Sequence, residues 1–370
     1  MKEVVIIGGG LAGLLSAHAL ARKKISCTIL ERKEYPLHRV CGEYISEEVT
    51  PYLESLQLFP HQFNPPRIRT LHLTSVNGRK AEMALDLGGF GISRYALDFF
   101  LFEQLPKKYV SVKQNTEVTS LHFQNEKFRI ETAGHEVLLA DVVIMATGKR
   151  SKLDASLQRA FMKSRSPYMG VKYHIRTNHP SDVIALHNFK DGYCGISNVE
   201  DGKSNLCYLT HRDNMKNSGS IREMEEQVLF QNPYLKTIYE KADFLMSKPE
   251  VINEISFATK APVENHLLMC GDAAGMITPL CGNGMAIAIH ASKLVSEVVT
   301  DFCEGKLTRT EMENTYRAHW KQNFEKRLWA GRKIQGLFGS VMASNLAVNL
   351  ARYAKPLANF LVSKTHGVPF

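Results

Sequence analysis

Three glycines, a glutamate and a later aspartate carry the chemistry of this sequence. Gly8, Gly10 and Gly13 form a Gly-x-Gly-x-x-Gly turn, Glu31 stands 18 residues after Gly13, and Gly271-Asp272 follows an apolar run. In such a turn the first glycine permits a sharp bend, the second lets a pyrophosphate reach the backbone, and the third lets the following helix lie against the strand. The N–H groups of Gly10, Leu11 and Ala12 then open a helix whose positive end attracts phosphate. A carboxylate at Glu31 accepts from both hydroxyls of an adenosine ribose and repels a 2′-phosphate, and Arg32 beside it can meet the nucleotide. This pattern binds a dinucleotide.

The elements that must position these groups are legible around them. Val4-Val5-Ile6-Ile7 is a buried-strand run, Leu14 to Ala21 has helical spacing, and Cys27 to Leu30 is a second strand ending at Glu31. Alternating strands follow at Arg67 to Thr74, Val118 to Phe123, Phe128 to Thr132 and Glu136 to Leu139, closing with the apolar strand Val142 to Met145. Residues 168 to 210 read as strands punctuated at Asp191-Gly192 and Asp201-Gly202. A third buried strand, His266 to Cys270, precedes Gly271-Asp272 and a long apolar helix from Gly282 towards Val299. The tail reads as helical to its end.

The later motif, Leu267 to Ala274 followed by Pro279-Leu280-Cys281-Gly282-Asn283-Gly284, resembles the strand-Gly-Asp fingerprint of FAD enzymes in the geranylgeranyl reductase and aromatic-ring hydroxylase superfamily. The resemblance implies that Asp272 holds the ribityl chain. It also implies that the turn Pro279, Gly282, Asn283, Gly284 passes beside the isoalloxazine and opens a helix facing N1, where reduction places negative charge. Further segments match in order. Arg39-Val40-Cys41-Gly42-Glu43 is similar to the Lys/Arg-x-Cys-Gly segment of the reductases, and Ser93-Arg94-Tyr95-Ala96-Leu97-Asp98 to the family's Ser-Arg-x-x-Leu-Asp, which implies Arg94 near the cofactor. Asp141 to Ser151, with Gly148, aligns with the strand before the Asp-Gly segment, and Tyr193 and Gly195 fall where the reductases carry a substrate strand.

The departures from the family are specific. Thr147 replaces the Asp of the hydroxylases' Asp-Gly, while Gly195, Ser197 and Asn198 replace a Trp, Phe and Pro of the reductase strand. No Trp-x-Trp-x-Ile-Pro is present, which argues against halogenation. No second phosphate turn follows a strand, so NADH or NADPH is expected to dock transiently. Cys41 is open to two readings, a soft group near the flavin or a small buried hydrophobe, and Arg39 can sit on a phosphate or on reduced flavin.

Composition bounds the rest. The 370 residues are 44% hydrophobic and 22% charged, an ordinary globular balance. Seven cysteines without a C-x-x-C pair suggest a reducing compartment, and the short apolar run after Lys2-Glu3 is no signal-peptide core, so a cytoplasmic protein is expected. His38, His174, His187 and His290 show no metal spacing, and they read as ordinary polar or core residues. The net charge of +9 is not spread evenly. Residues 321–370 hold eight cations against Glu325 alone, a net +7, which argues against nucleic acid and for an amphipathic tail able to touch a membrane periphery.

The expectation is an α/β protein with a Rossmann-like FAD-binding domain from 1–165 and 255–330, an inserted β-sheet substrate domain from 166–254 with strands from about 67–90, and a helical C-terminal cap from 331–370. The expected function is that of an FAD-dependent oxidoreductase acting on a hydrophobic small molecule. NAD(P)H-driven monooxygenation of an aromatic or lipid phenol is placed ahead of geranylgeranyl-reductase-like C=C reduction. A prenyl-escort protein of the same fold is the non-enzymatic alternative. The sequence does not give an oligomeric state.

Overall fold

The computed structural model describes residues 2–163, 165–335 and 340–370. Val4–Ile7 carries no polar side chain on either face, as suits a strand covered on both sides, and it lies inside a six-stranded sheet. It pairs in parallel with Cys27–Leu30 and with Val142–Met145, with Val4 opposite both Cys27 and Val142. Val110–Lys113 extends one side and Leu267–Met269 the other, both parallel. Helices Leu11–Arg22 and Gly284–Cys303 pack against each other within the same core as this sheet. A three-stranded antiparallel sheet, Val118–Gln124, Lys127–Thr132 and Val137–Ala140, stands beside it. Its first turn, Asn125-Glu126, has positive φ at both residues, the twist that suits a tight hairpin.

The larger sheet has nine strands. Tyr168–Arg176, Ser204–His211, Gly192–Asn198 and Val183–Phe189 are antiparallel neighbours, and Val183–Phe189 then runs parallel to Arg67–Thr74. Lys80–Gly91 and Tyr44–Ser46 complete that side. The structure thus adds Tyr44–Ser46, inside the expected 1–165 cofactor segment, to the nine-stranded sheet. Three residues are too few for alternation to show. What admits this strand is Gly89 opposite it, where a Cβ would fall 2.4 Å from the Tyr44 ring. The chain therefore crosses between the two sheets through residues 39–43.

The α/β fold is the expected one, but the tail differs in two respects. Helices Val341–Tyr353 and Lys355–Ser363 pack on Arg67–Thr74 and Lys80–Gly91 of the nine-stranded sheet. The last residues are not helical: Gly367 and Pro369 end the run, the Gly367 N–H donates to Glu48, and Phe370 stacks on His290 with ring centroids 3.9 Å apart. Arg327, one of the eight tail cations, is buried and donates to Glu48 at 2.8 Å, so it is a strut rather than a surface charge.

Candidate active site

A cavity of about 360 Å³ is lined by both larger sheets and by the crossing loop. From the parallel sheet it takes the carboxyl ends of the strands and the turns after them, where open α/β sheets bind ligands. Gly8, Gly10, Leu11, Ala12, Glu31, Arg32, Thr147, Gly148, Asp272, Pro279, Gly282 and Gly284 all line it. The crossing loop adds Arg39, Cys41, Gly42 and Glu43, and the nine-stranded sheet adds Tyr193, Gly195 and their neighbours.

Two features of this wall fit a dinucleotide. Helices Leu11–Arg22 and Gly284–Cys303 begin without any side chain capping their first N–H groups, whereas Ser93, Ser151 and Thr308 cap helices elsewhere. Helix N-termini left open towards a cavity are anion sites. Among the described residues, Thr147 Oγ1 and Arg39 Nε are buried without a hydrogen-bond partner, and both residues line the cavity. Such orphans are costly unless a ligand meets them.

The glycines divide by role. At Gly8, with φ +104°, a Cβ would fall 2.5 Å from Ala146 O, and at Gly13 it would fall 2.0 Å from Gly8 O. These two set the turn against the strand. At Gly10 nothing lies nearer than Arg94 Nη2 at 3.5 Å, so the space there is open for a ligand. Gly13 and Gly271 do not line the cavity. Gly271, at φ +63°, is a spacer against Ala12. Asn283 does not line the cavity: its Nδ2 donates to Thr365 O at 2.9 Å and reaches Glu48, which ties the turn before α-helix Gly284–Cys303 to the C-terminal segment, while its Oδ1 is buried without a hydrogen-bond partner.

Glu31 is buried and accepts from Gly9 N at 2.8 Å and Lys33 N at 3.0 Å, with Arg39 at 3.4 Å. Arg94 is held by a bidentate pair to Asp98, both contacts 2.7 Å, which gives the Arg-x-x-x-Asp spacing its physical meaning: one helical turn fixes the guanidinium. Cys41 and Cys207 both line the cavity, and burial pushes the Cys207 thiol up to about 12.

The sequence reading missed two buried groups. Glu43, at φ +54°, accepts from Arg94 N at 2.8 Å, from Lys172, and from His174 Nε2 at 2.7 Å. Burial alone would raise its carboxyl, but the Lys172 ammonium and His174 outweigh that and hold it below the usual range. His174 is therefore a partner in this network, and its alternation with Lys172 along one strand gave no sign of a residue 131 positions earlier. The second is Lys260, whose ammonium donates to Lys149 O at 2.8 Å and Asp272 O at 2.9 Å, pinning two cavity turns together.

Burial pushes Lys260 down to about 8. Since its ordinary value is near 10.4, the unfolded chain binds more protons than the folded one between those values, and this group adds stability as pH rises through that window. Lys260→Met should flatten that rise in urea midpoints taken between about pH 7.5 and 10. An unaltered slope would exclude Lys260 as its source.

With this geometry in hand, the relatives are informative. The FAD binding domain family matches residues 1–309. Digeranylgeranylglycerophospholipid reductase of Methanosarcina acetivorans is 24% identical over 338 residues, covering 86% of this chain and 80% of the relative. Among solved structures, a geranylgeranyl bacteriochlorophyll reductase-like protein from Thermoplasma acidophilum superposes with a TM-score of 0.76 at 18% identity, covering 95% of this chain and 91% of that one. The probable FAD-dependent monooxygenase PqsL of Pseudomonas aeruginosa gives 0.73 at 13%, covering 93% and 98%. At these identities the solved structures attest the fold. The family match spans the phosphate turn, Glu31, Arg94 and Asp272 together, and on it the chain belongs to the FAD binding domain family as an FAD-dependent oxidoreductase.

Proposed function

We propose that this protein reduces carbon–carbon double bonds in an apolar, isoprenoid-like molecule, with NADH or NADPH as a transient reductant. The observation that carries this reading is the wall facing the dinucleotide side. Every residue that the nine-stranded sheet contributes to the cavity, including Ile184, Leu186, Ile196, Leu209 and Ile252, is uncharged. A charged substrate would be left unpaired there, whereas each buried CH₂ gains about 0.8 kcal/mol. The reductase names of relatives covering most of the chain support it, and they exchange the order of the two expectations drawn from the sequence. The ring of Tyr193 in the same wall favours a second reading, monooxygenation of an aromatic or lipid phenol.

When bound, FAD supplies the two-electron transfer. The chain's part would be to hold and enclose it: the open N-terminus of Leu11–Arg22 would hold the phosphates, Glu31 the ribose and Asp272 the ribityl chain, and the N-terminus of Gly284–Cys303 would favour negative charge on the ring. Asp272 lines the cavity and forms no salt bridge among the described residues. Asp272→Ala should remove a charge-assisted hydrogen bond on the order of 1.5–3 kcal/mol. That is about a ten- to hundredfold weaker FAD dissociation constant by titration, and a change below twofold would remove Asp272 from the site.

The function is tested anaerobically. The purified protein is reduced with NADH and with NADPH, followed at about 450 nm where flavins absorb, and then offered a prenol or a long-chain phenol. Reoxidation by the prenol without air, with a saturated product, is expected. Reoxidation only on admitting air, with a hydroxylated phenol, would establish the second reading instead.

A further inference from the structure

The helices Val341–Tyr353 and Lys355–Ser363 are built the opposite way round from a solvated cap. The face of Val341–Tyr353 that meets the sheet is made of small residues, Ser344, Ala347, Val348 and Ala351, and the face turned outwards carries Met342, Leu346 and Tyr353. Met342 is 84% exposed, Tyr353 79% and Leu346 60%. Positions 342, 346 and 353 fall on one side of a helix. On the second helix, Leu357 and Phe360 share an exposed face with Lys364, while Ala358 is buried. Of the fourteen large hydrophobic residues exposed among the described residues, eight lie after residue 328. An amphipathic helix that merely covers a core turns its large apolar residues inwards.

Charge supplies the identity of what meets this face. Lys326, Lys333, Arg352, Lys355 and Lys364 are all exposed, and no Asp or Glu occurs from residue 326 to the end. Arg352 and Lys355 sit at the joint between the two helices. Exposed apolar side chains flanked by unopposed cations are the composition of an interfacial helix. Beneath the pair lies a second chamber of about 130 Å³, lined by Leu73, Met83, Leu350, Ala351, Leu361 and Val362, among others. It shares Tyr44, Ile184, Leu186, Leu280 and Gly282 with the main cavity, so apolar space extends from under these helices to the Pro279–Gly284 turn.

We propose that the outer face of these two helices docks on an anionic phospholipid bilayer. No described helix is long and apolar enough to cross a membrane, so the contact is peripheral: Met342, Leu346, Tyr353, Leu357 and Phe360 enter the headgroup boundary and the basic side chains meet lipid phosphates. This rests on the apolar-substrate reading only for its purpose, since a bilayer is where such a molecule resides. The docking itself is independent of flavin chemistry.

The test is cosedimentation of the FAD-loaded protein with vesicles of phosphatidylglycerol and phosphatidylcholine, or of phosphatidylcholine alone, with FAD content and reduction by NAD(P)H recorded for every variant. Binding is expected to the anionic vesicles at low salt and to weaken in high salt, where the Debye length falls to a few ångström. Neutralising Lys333, Arg352, Lys355 and Lys364 to Gln should weaken it by about fivefold per residue. Met342→Glu with Leu346→Glu and Phe360→Glu should abolish it. These positions are exposed, so the fold and the FAD content stay intact. A protein that remains in the supernatant with anionic vesicles at low salt overturns the proposal, as does equal binding to neutral vesicles. A self-associating protein that those three glutamates render monomeric, without vesicle binding, assigns the face to a second copy of the chain. If FAD reduction fails as well, the functional reading fails separately from the docking.

Discussion

Gly10→Val protein is expected to purify folded and colourless. Gly10 has φ −86° and ψ −174°, an extended conformation open to any residue, and a Cβ there meets only the end of Arg94 at ordinary contact distance. The same substitution at Gly8 or Gly13 would drive a side chain into backbone oxygen at 2.5 or 2.0 Å, so those variants report on folding rather than on binding. At Gly10 the cost falls on the ligand, because the methyl groups occupy the place where a pyrophosphate must approach the backbone. Circular dichroism and thermal unfolding should resemble those of the FAD-free parent, while bound flavin falls from about nine-tenths of stoichiometric or more to below about one tenth, an affinity loss of roughly eightyfold or about 2.6 kcal/mol. Glu31→Ala should lose less flavin, and less cleanly, since Glu31 also receives the Gly9 and Lys33 N–H groups. Full FAD in the Gly10 variant would refute the phosphate assignment.

The elements of the parallel sheet around the glycine turn were legible because their signals are local. Val4–Ile7 and Val142–Met145 are short unbroken apolar runs, the signature of parallel strands covered on both faces, and Cys27–Leu30 departs from it only at the β-branched Thr28. The glycine turn and Glu31 sit within one βαβ unit. The nine-stranded side was harder to read. Tyr44–Ser46 joins the large sheet through close packing on Gly89, a contact with no periodicity to announce it. The Asn283 Nδ2 meets Thr365 and Glu48, which lie far away along the chain, a contact that no local motif announces. Lys260 appears in the sequence as an unremarkable lysine between Thr259 and Ala261, because its partners are two backbone carbonyls. Whether Leu337 and Phe338 share the tail's apolar face lies outside the described residues.

The largest stability effect is expected at Glu43. Its carboxylate is fully buried, and so is the Lys172 ammonium that donates to it from the nine-stranded sheet. Glu43→Gln leaves the ammonium without a counter-charge in a dry interior, which typically costs about 3–5 kcal/mol. Lys172→Met should cost less, because the carboxylate keeps the Arg94 N–H and His174. The double variant, Glu43→Gln with Lys172→Met, buries no unpaired cation and should be more stable than Glu43→Gln alone, a non-additivity that marks direct coupling. Urea unfolding of FAD-free protein is the appropriate measurement, since bound cofactor would add its own linkage. The pH dependence carries a second signature. The carboxyl is held below its unfolded value, so its contribution is complete above that value and is lost as pH falls through the folded one. Removal of Glu43 as the titrating group should therefore shallow the acid limb of the stability curve in Glu43→Gln. Additive single and double variants, with an unchanged acid limb, would reduce this network to three neighbouring side chains. If the coupling holds, the loop bearing Arg39 and Cys41 is anchored at one residue to both the Arg94 helix and the nine-stranded sheet, so the two walls of the cavity are fixed relative to each other by a single carboxylate.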